Sequence, residues 1–198
     1  MTTHPHGELI EALHELGAVK LGTFTLKSGD TSPVYMDLRL LISEPRILGL
    51  AAEAYASLLP NLEFDRIAAI PMAGIPIGAA VALASNRPMI FPRKQVKAYG
   101  TGRAIEGHYK AGETALVLDD LISSGGSKIE AIEPLEAAGL IVRDVIVLID
   151  REGGGKEELK AAGYELHSVL TLREIVDHLA AAGHVTKEEH QAVIDFLS

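Results

Sequence analysis

The sequence predicts an α/β fold: an open, mainly parallel sheet with helices on both faces. Three observations predict it. Short apolar runs of strand length alternate with longer stretches of helical periodicity through most of the chain. One of those runs, Ala115 to Leu118, is uninterrupted, as expected of a strand buried on both faces in a parallel sheet. That run meets two consecutive carboxylates, Asp119 and Asp120, followed by small hydroxyl and glycine residues and then a helical pattern. Strand, polar turn, helix is the unit from which parallel sheets are built.

Taken in order, Gly7–Leu16 places Leu9, Ile10, Leu13 and Leu16 at helical spacing, which predicts an opening amphipathic helix. Phe24–Asp37 is broken by Ser-Gly and Ser-Pro and predicts short strands joined by turns. Ser43 is a candidate cap for a helix with Glu44 and Pro45 in its first turn, continuing to about Leu59. Strand candidates follow at Ile67–Ile70, Met89–Phe91, Ala115–Leu118, Val145–Ile149 and Tyr164–Val169. Helical patterns lie between them at Gly74–Ala84, Ser127–Ala138 and Lys156–Ala162, with Pro134 expected to kink or shorten the second. Leu172–Ala182 and Lys187–Leu197 close the chain as helices, with Thr186 a candidate cap for the last. Arg93–Gly112 has neither periodicity and contains Gly100, Gly102 and Gly107, the profile of a functional loop or lid.

At 198 residues the chain fits a single domain, residues 1–198, with a substantial core. The absence of cysteine excludes disulfides and thiolate metal sites and fits the cytoplasm, and the first ten residues have no signal-peptide pattern. Ile67–Ala84 is uncharged over 18 residues, but Pro71, Gly74, Pro76 and Gly78 interrupt it, so it is read as strand, loop and small-residue helix rather than a membrane span. A net charge of −9 disfavours nucleic acid as a partner. Against that balance, Arg87, Arg93, Lys94, Lys97 and Arg103 fall in a segment without acidic residues, which suits a compact anionic ligand. The eight histidines have no metal-ligand spacing.

The chemistry is concentrated in Asp119–Ser127. Ligands of parallel sheets sit outside the carboxyl ends of strands. There the Asp pair adjoins Ser123-Ser124-Gly125-Gly126-Ser127, whose backbone N–H groups at a helix start form an anion cradle. Hydroxyl acceptors beside a phosphate site suit a ribose 5-phosphate. No Gly-Lys-Ser closes the loop, so it is not a Walker loop, and it is not a GxGxxG turn.

The run DDLISSGGS resembles the signature of type I phosphoribosyltransferases, which use phosphoribosyl pyrophosphate (PRPP). Three further segments are similar to the orotate-using branch: Phe24–Gly29 continuing into Ser32–Arg39, Arg93–Gly100, and Leu148–Glu152. The resemblance implies the type I phosphoribosyltransferase fold with a small N-terminal hood. It also implies transfer of ribose 5-phosphate from PRPP to orotate, giving orotidine 5′-monophosphate and pyrophosphate in pyrimidine biosynthesis. Mg²⁺ is the implied cofactor, without an assigned protein ligand. A homodimer with shared active sites is implied too, Lys97 of the lid serving the partner subunit.

Carried over by position, the resemblance assigns Lys97, Asp119 and Asp120 to catalysis. PRPP would meet Lys27, Arg93, Lys94, Lys97, Tyr99, Asp119, Asp120, Leu121, Ile122, Ser123, Ser124, Gly125, Gly126 and Ser127. Orotate would meet Lys27, Tyr35, Met36, Ser123 and Arg151, the last suited to bidentate capture of a carboxylate. Tyr99 stands where many relatives carry histidine, and Ser123 where they often carry threonine. The loop Pro71-Met72-Ala73-Gly74 would meet the pyrophosphate through backbone N–H groups. Transfer to another base, or a non-catalytic PRPP sensor, are the alternatives. The length leaves no room for a fused decarboxylase, so the next step is expected on another polypeptide.

Overall fold

The computed structural model describes residues 4–25, 29, 31–93 and 104–198. In chain order the elements are α1 (Gly7–Glu15), β1 (Val19–Thr25), β2 (Thr31–Met36), α2 (Pro45–Leu58), β3 (Arg66–Ala69), α3 (Gly74–Ser85), β4 (Met89–Pro92) and β5 (Ile105–Glu106). There follow β6 (Thr114–Ile122), α4 (Gly126–Ala137), β7 (Ile141–Asp150), α5 (Gly155–Ala161), β8 (Glu165–Thr171), α6 (Leu172–Ala182) and α7 (Lys187–Phe196). They form two compact units, one of residues 1–50 with 170–198, the other of residues 51–169.

In the first unit β1 and β2 pair antiparallel, Val19 opposite Met36 and Thr25 opposite Thr31. This is the small N-terminal sheet that the resemblance implies. The C-terminal helices belong to the same unit: α6 packs on α1, and α7 on α6 and β2. Leu9, Ile10 and Leu13 of α1 are buried, as are Leu172, Ile175, Val176 and Leu179 of α6, the stripe spacing of amphipathic helices. Thr171 and Thr186 each complete a capping box, with Glu174 and Glu189. Such reciprocal bonds satisfy the first N–H groups of each helix. Ser43 does not cap α2. It ends a short 3₁₀ turn, and its hydroxyl donates back to the Leu40 carbonyl at 2.8 Å, leaving Pro45 as the first helical residue.

The second unit holds a six-stranded sheet in the order β5-β4-β3-β6-β7-β8. Strands β3, β4, β6 and β7 are mutually parallel, and β5 is an antiparallel edge strand on β4. That edge adds a two-residue strand within 93–112, too short to create the periodicity that the sequence lacks there. From β3 the chain steps through α3 to β4 on one side, and from β6 through α4 to β7 on the other. Right-handed crossovers in opposite directions put α3 and α4 on opposite faces and create a switch point between β3 and β6.

Ala115, Val117, Val145 and Val147 join Ile132, Leu135 and Leu159 in one buried cluster. Leu116, Leu118, Ile146 and Leu148, which alternate with them, are buried too. Burying each large aliphatic side chain contributes about 1.5–3 kcal/mol. Helix α3 lies tight on the sheet because Gly78 faces Ala69, where an added Cβ would come within 2.7 Å of the alanine methyl. The uncharged stretch 67–84 is thus strand, turn and a 12-residue helix. Among the described residues no helix is long and apolar enough to cross a membrane.

Candidate active site

Strand β6 runs further than its apolar core predicts, through Asp119, Asp120 and Leu121 to Ile122. The acids stay in the strand because β7 continues alongside, Asp119 opposite Val147 and Ile122 opposite Asp150. Only Ser123–Gly125 separate the strand from α4. Both acids therefore stand at the carboxyl end of β6, beside the switch point and the start of α3. An added Cβ at Gly74 would lie 3.3 Å from Asp119 Oδ1.

The two carboxylates have different surroundings. Asp119 is 7% exposed, and each of its oxygens has a partner. Oδ2 lies 2.6 Å from the Lys128 ammonium. Oδ1 accepts the Asp120 N–H at 2.9 Å, and the Asp119 carbonyl accepts the Tyr55 hydroxyl at 2.6 Å. Asp120 Oδ1 accepts its neighbour's N–H, from Leu121 at 2.9 Å. Burial pushes the Asp120 carboxyl up to about 6, and the adjacent Asp119 charge adds to that, with Lys128 opposing. Burial, then the two aspartates, raises the Tyr55 hydroxyl well above its ordinary range. Lys128 and Tyr55 are the residues that sequence reasoning missed. Lys128 had a signal: a lysine at the third position of a helix opposes the helix dipole. Tyr55 is one polar side chain in a helix otherwise read as packing.

The loop after β6 is braced by the next crossover. The Ser123 carbonyl accepts the Gly155 N–H at 3.1 Å, and the Ile122 carbonyl accepts the Arg151 N–H at 2.8 Å. A Cβ on Gly153 would come within 2.8 Å of the Ser123 carbonyl and hydroxyl oxygens, so only glycine permits this approach. The Gly125 N–H, counted as part of the cradle, instead donates to Glu158 Oε2 of α5 at 2.7 Å. Ser123, Ser124, Gly126 and Ser127 are exposed, whereas Ile122 is buried in the core and Leu121 is half-buried.

At the neighbouring strand end, Asp150 is buried and accepts the Glu152 N–H at 2.8 Å; burial raises its carboxyl. Arg151 follows directly. Its Nε is buried without a hydrogen-bond partner among the described residues, and burial lowers its guanidinium. A buried donor without an acceptor costs about 1–3 kcal/mol. It is therefore suited to an incoming carboxylate.

Asp119, Asp120, Ser123–Ser127 and Arg151 thus come together on two adjacent strand ends. Arg93 sits at the edge of β4 and is ion-paired with Glu106 of β5. Arg87 is not part of a basic cluster with it. Its guanidinium stacks over Phe64 at 5.0 Å, beside a 370 Å³ hollow at the amino-terminal edge of the sheet that Asp65, Thr114 and Arg143 also line. Tyr35 and Met36 lie on β2 of the first unit, with the Tyr35 ring against Phe24 at 5.6 Å. Lys27, Lys94, Lys97, Tyr99 and Arg103 lie outside the described residues.

Among the described residues no group of three or more His, Asp or Glu side chains could hold a metal. Asp119 is already engaged by Lys128. The carboxylate oxygens at this strand end are the donor type that a hard cation such as Mg²⁺ takes.

A parallel sheet of this order, with the acid pair and small-residue loop at its switch point and a small antiparallel sheet near the N-terminus, defines the type I phosphoribosyltransferase class. No family model matches the chain. A bifunctional enzyme PyrF/PyrE from Nostoc sp. is 43% identical over 190 residues, which is 96% of this chain and 40% of that protein. An orotate phosphoribosyltransferase from Pyrobaculum aerophilum is 39% identical over 191 residues, 96% of this chain and 98% of that one. Among solved structures, a UMP synthase from Leishmania donovani matches with a TM-score of 0.90 and 40% identity over 98% of this chain and 42% of its own. The orotate phosphoribosyltransferase of Mycobacterium tuberculosis, solved in complex with PRPP, matches with a TM-score of 0.72 and 26% identity, covering 86% and 98%. The chain belongs to the orotate phosphoribosyltransferase family. It spans 40% of the length of the PyrF/PyrE enzyme and of the Bos taurus uridine 5′-monophosphate synthase that it matches.

Proposed function

We propose that the chain transfers ribose 5-phosphate from PRPP to orotate, yielding orotidine 5′-monophosphate and pyrophosphate in pyrimidine biosynthesis. The observation that carries the reading is the pairing of two strand ends. One holds carboxylates beside a loop of small residues; the next holds Arg151, whose buried Nε has no partner among the described residues. A sugar phosphate matches the first and a planar acid the second.

In this reading Ser123–Ser127 take the 5-phosphate and Asp120 accepts from the ribose hydroxyls. Arg151 binds the orotate carboxylate, and the Ser123 hydroxyl orients its ring. The anomeric C–O bond to pyrophosphate breaks as a ring nitrogen of orotate bonds to the same carbon and releases its proton to solvent, through an oxocarbenium-like centre. Aspartates beneath that centre favour its positive charge, so no covalent nucleophile is required. When bound with PRPP, a Mg²⁺ ion would supply charge neutralisation for the pyrophosphate leaving group. Arg93, Lys94 and Lys97 complete the pyrophosphate side, with Lys27, Tyr35 and Met36 bordering orotate and Tyr99 beside PRPP. A cytoplasmic homodimer that shares its lids belongs to the same reading.

A steady-state assay with PRPP and, separately, orotate, uracil, adenine and hypoxanthine tests it. Turnover with orotate alone is the expected result. Turnover with another base and none with orotate would overturn it.

A further inference from the structure

Lys128 is 6% exposed, and its ammonium is 2.6 Å from Asp119 Oδ2, with Ser127 Oγ at 3.5 Å. Its position is unfavourable on two counts. As the third residue of α4 it puts a cation at the positive end of the helix dipole. As a buried ammonium it gives up hydration that only a close carboxylate replaces. Neither cost is explained by the fold, since an apolar residue there would suit both helix and core. The compensation lies in what the ammonium faces: two consecutive carboxylates on one strand, which cannot both stay ionised in a poorly solvated site without a countercharge.

We propose that Lys128 is a positioning residue for the transfer reaction: lodged against Asp119, it holds that carboxylate in place and offsets one of the pair's two charges, so that Asp120 is left to meet the ribose. The proposal rests on the PRPP reading above. Among the described residues, the charged and titratable groups facing the pair are Lys128 from α4 and Tyr55 from α2, and α3 brings its Gly74 backbone. Tyr55 donates to the Asp119 carbonyl rather than a carboxylate, and its raised hydroxyl stays neutral, so Lys128 supplies the countercharge.

The test compares Lys128→Met, Lys128→Arg and the double variant Asp119→Asn/Lys128→Met with the wild-type chain, measuring KM for PRPP and for orotate from pH 6 to 9. Lys128→Met should raise the PRPP KM by about tenfold or more at pH 7, with the deficit shrinking toward pH 9 as the unpaired acids ionise, while the orotate KM stays within about twofold. Lys128→Arg should recover most of the loss. The double variant removes both charges of the ion pair, so it is the arm safe for folding. Its single remaining carboxylate should keep the wild-type pH profile, and an alkaline shift there would overturn the proposal. A folded Lys128→Met protein with an unchanged PRPP KM would overturn it as well, because a merely structural lysine alters thermal stability and not the ratio of the two constants. Calorimetric titration of wild type with PRPP separates the levels. Absence of binding there removes the PRPP reading and this inference with it, whereas equal binding by wild type and Lys128→Met removes only the inference.

Discussion

The ends of β6 and β7 are neighbours in one sheet, paired in register, and both bring charge into a poorly solvated place. They handle it in opposite ways. At β6 the charge is compensated from within: Lys128 reaches back from the following helix, and Asp119 has a partner for each oxygen. At β7 the Arg151 guanidinium is left with a buried Nε that nothing among the described residues accepts from. The difference teaches where each half gets its counterpart. On the proposed assignment, the β6 end would be a sugar side preorganised by the protein, with little to rearrange when hydroxyls arrive. On the same assignment, the β7 end would be a base side completed by the substrate, its specificity following from a polar group left unmatched until the right acid binds.

Breaking the β6 side should have the largest effect. Asp120→Asn should lower turnover with PRPP and orotate by about 10²–10³, the scale of losing one preorganised electrostatic contact. The same change should stabilise the fold. The Asp120 carboxyl is raised from 3.8 to about 6, so below its unfolded value both states are protonated and the residue costs nothing. Between about pH 4 and 6 the unfolded chain ionises first, and above 6 the folded state bears the full cost. Urea titrations should therefore find the variant about 1–3 kcal/mol more stable at pH 7.5 and equal to wild type below about pH 4. Breaking the β7 side comes next: Arg151→Ala should raise the orotate KM about 10–100-fold, for a charge-assisted contact worth about 1.5–3 kcal/mol. In wild type, kcat/KM for PRPP should decline as pH falls through about 6, where Asp120 takes up its proton. The smallest effect tests the brace between the two ends. Gly153→Ala pushes a methyl onto Ser123, and overpacking of this kind costs about 1–3 kcal/mol, so a lower melting temperature should accompany a several-fold loss of activity.

Much of this was legible in the chain. Uninterrupted apolar runs identified β3, β6 and β7, and Thr186 identified its own cap, because burial and capping are local in sequence. The extension of β6 through Asp119–Ile122 was not legible, since pairing with β7 overrides a polar pair's weak strand preference. Nor was the difference in surroundings within the acid pair. It depends on Lys128, nine residues on from Asp119, folding back across the strand end, and on Tyr55, 64 residues away in sequence. The engagement of the Gly125 N–H by Glu158 is equally non-local, as is the pairing of Arg93 with Glu106 across a two-residue strand. Motif residues declared themselves; their partners, set by tertiary packing, did not.

The central claim is that sugar and base are read at separate, adjacent strand ends. Measuring both Michaelis constants for Asp120→Asn and Arg151→Ala under one set of conditions tests it most directly. The expected pattern is crossed: the Asp120 variant impaired toward PRPP with little change toward orotate, and the Arg151 variant impaired toward orotate with PRPP spared. An Arg151→Ala enzyme with an unchanged orotate constant and a weakened PRPP constant would contradict the assignment of the two ends.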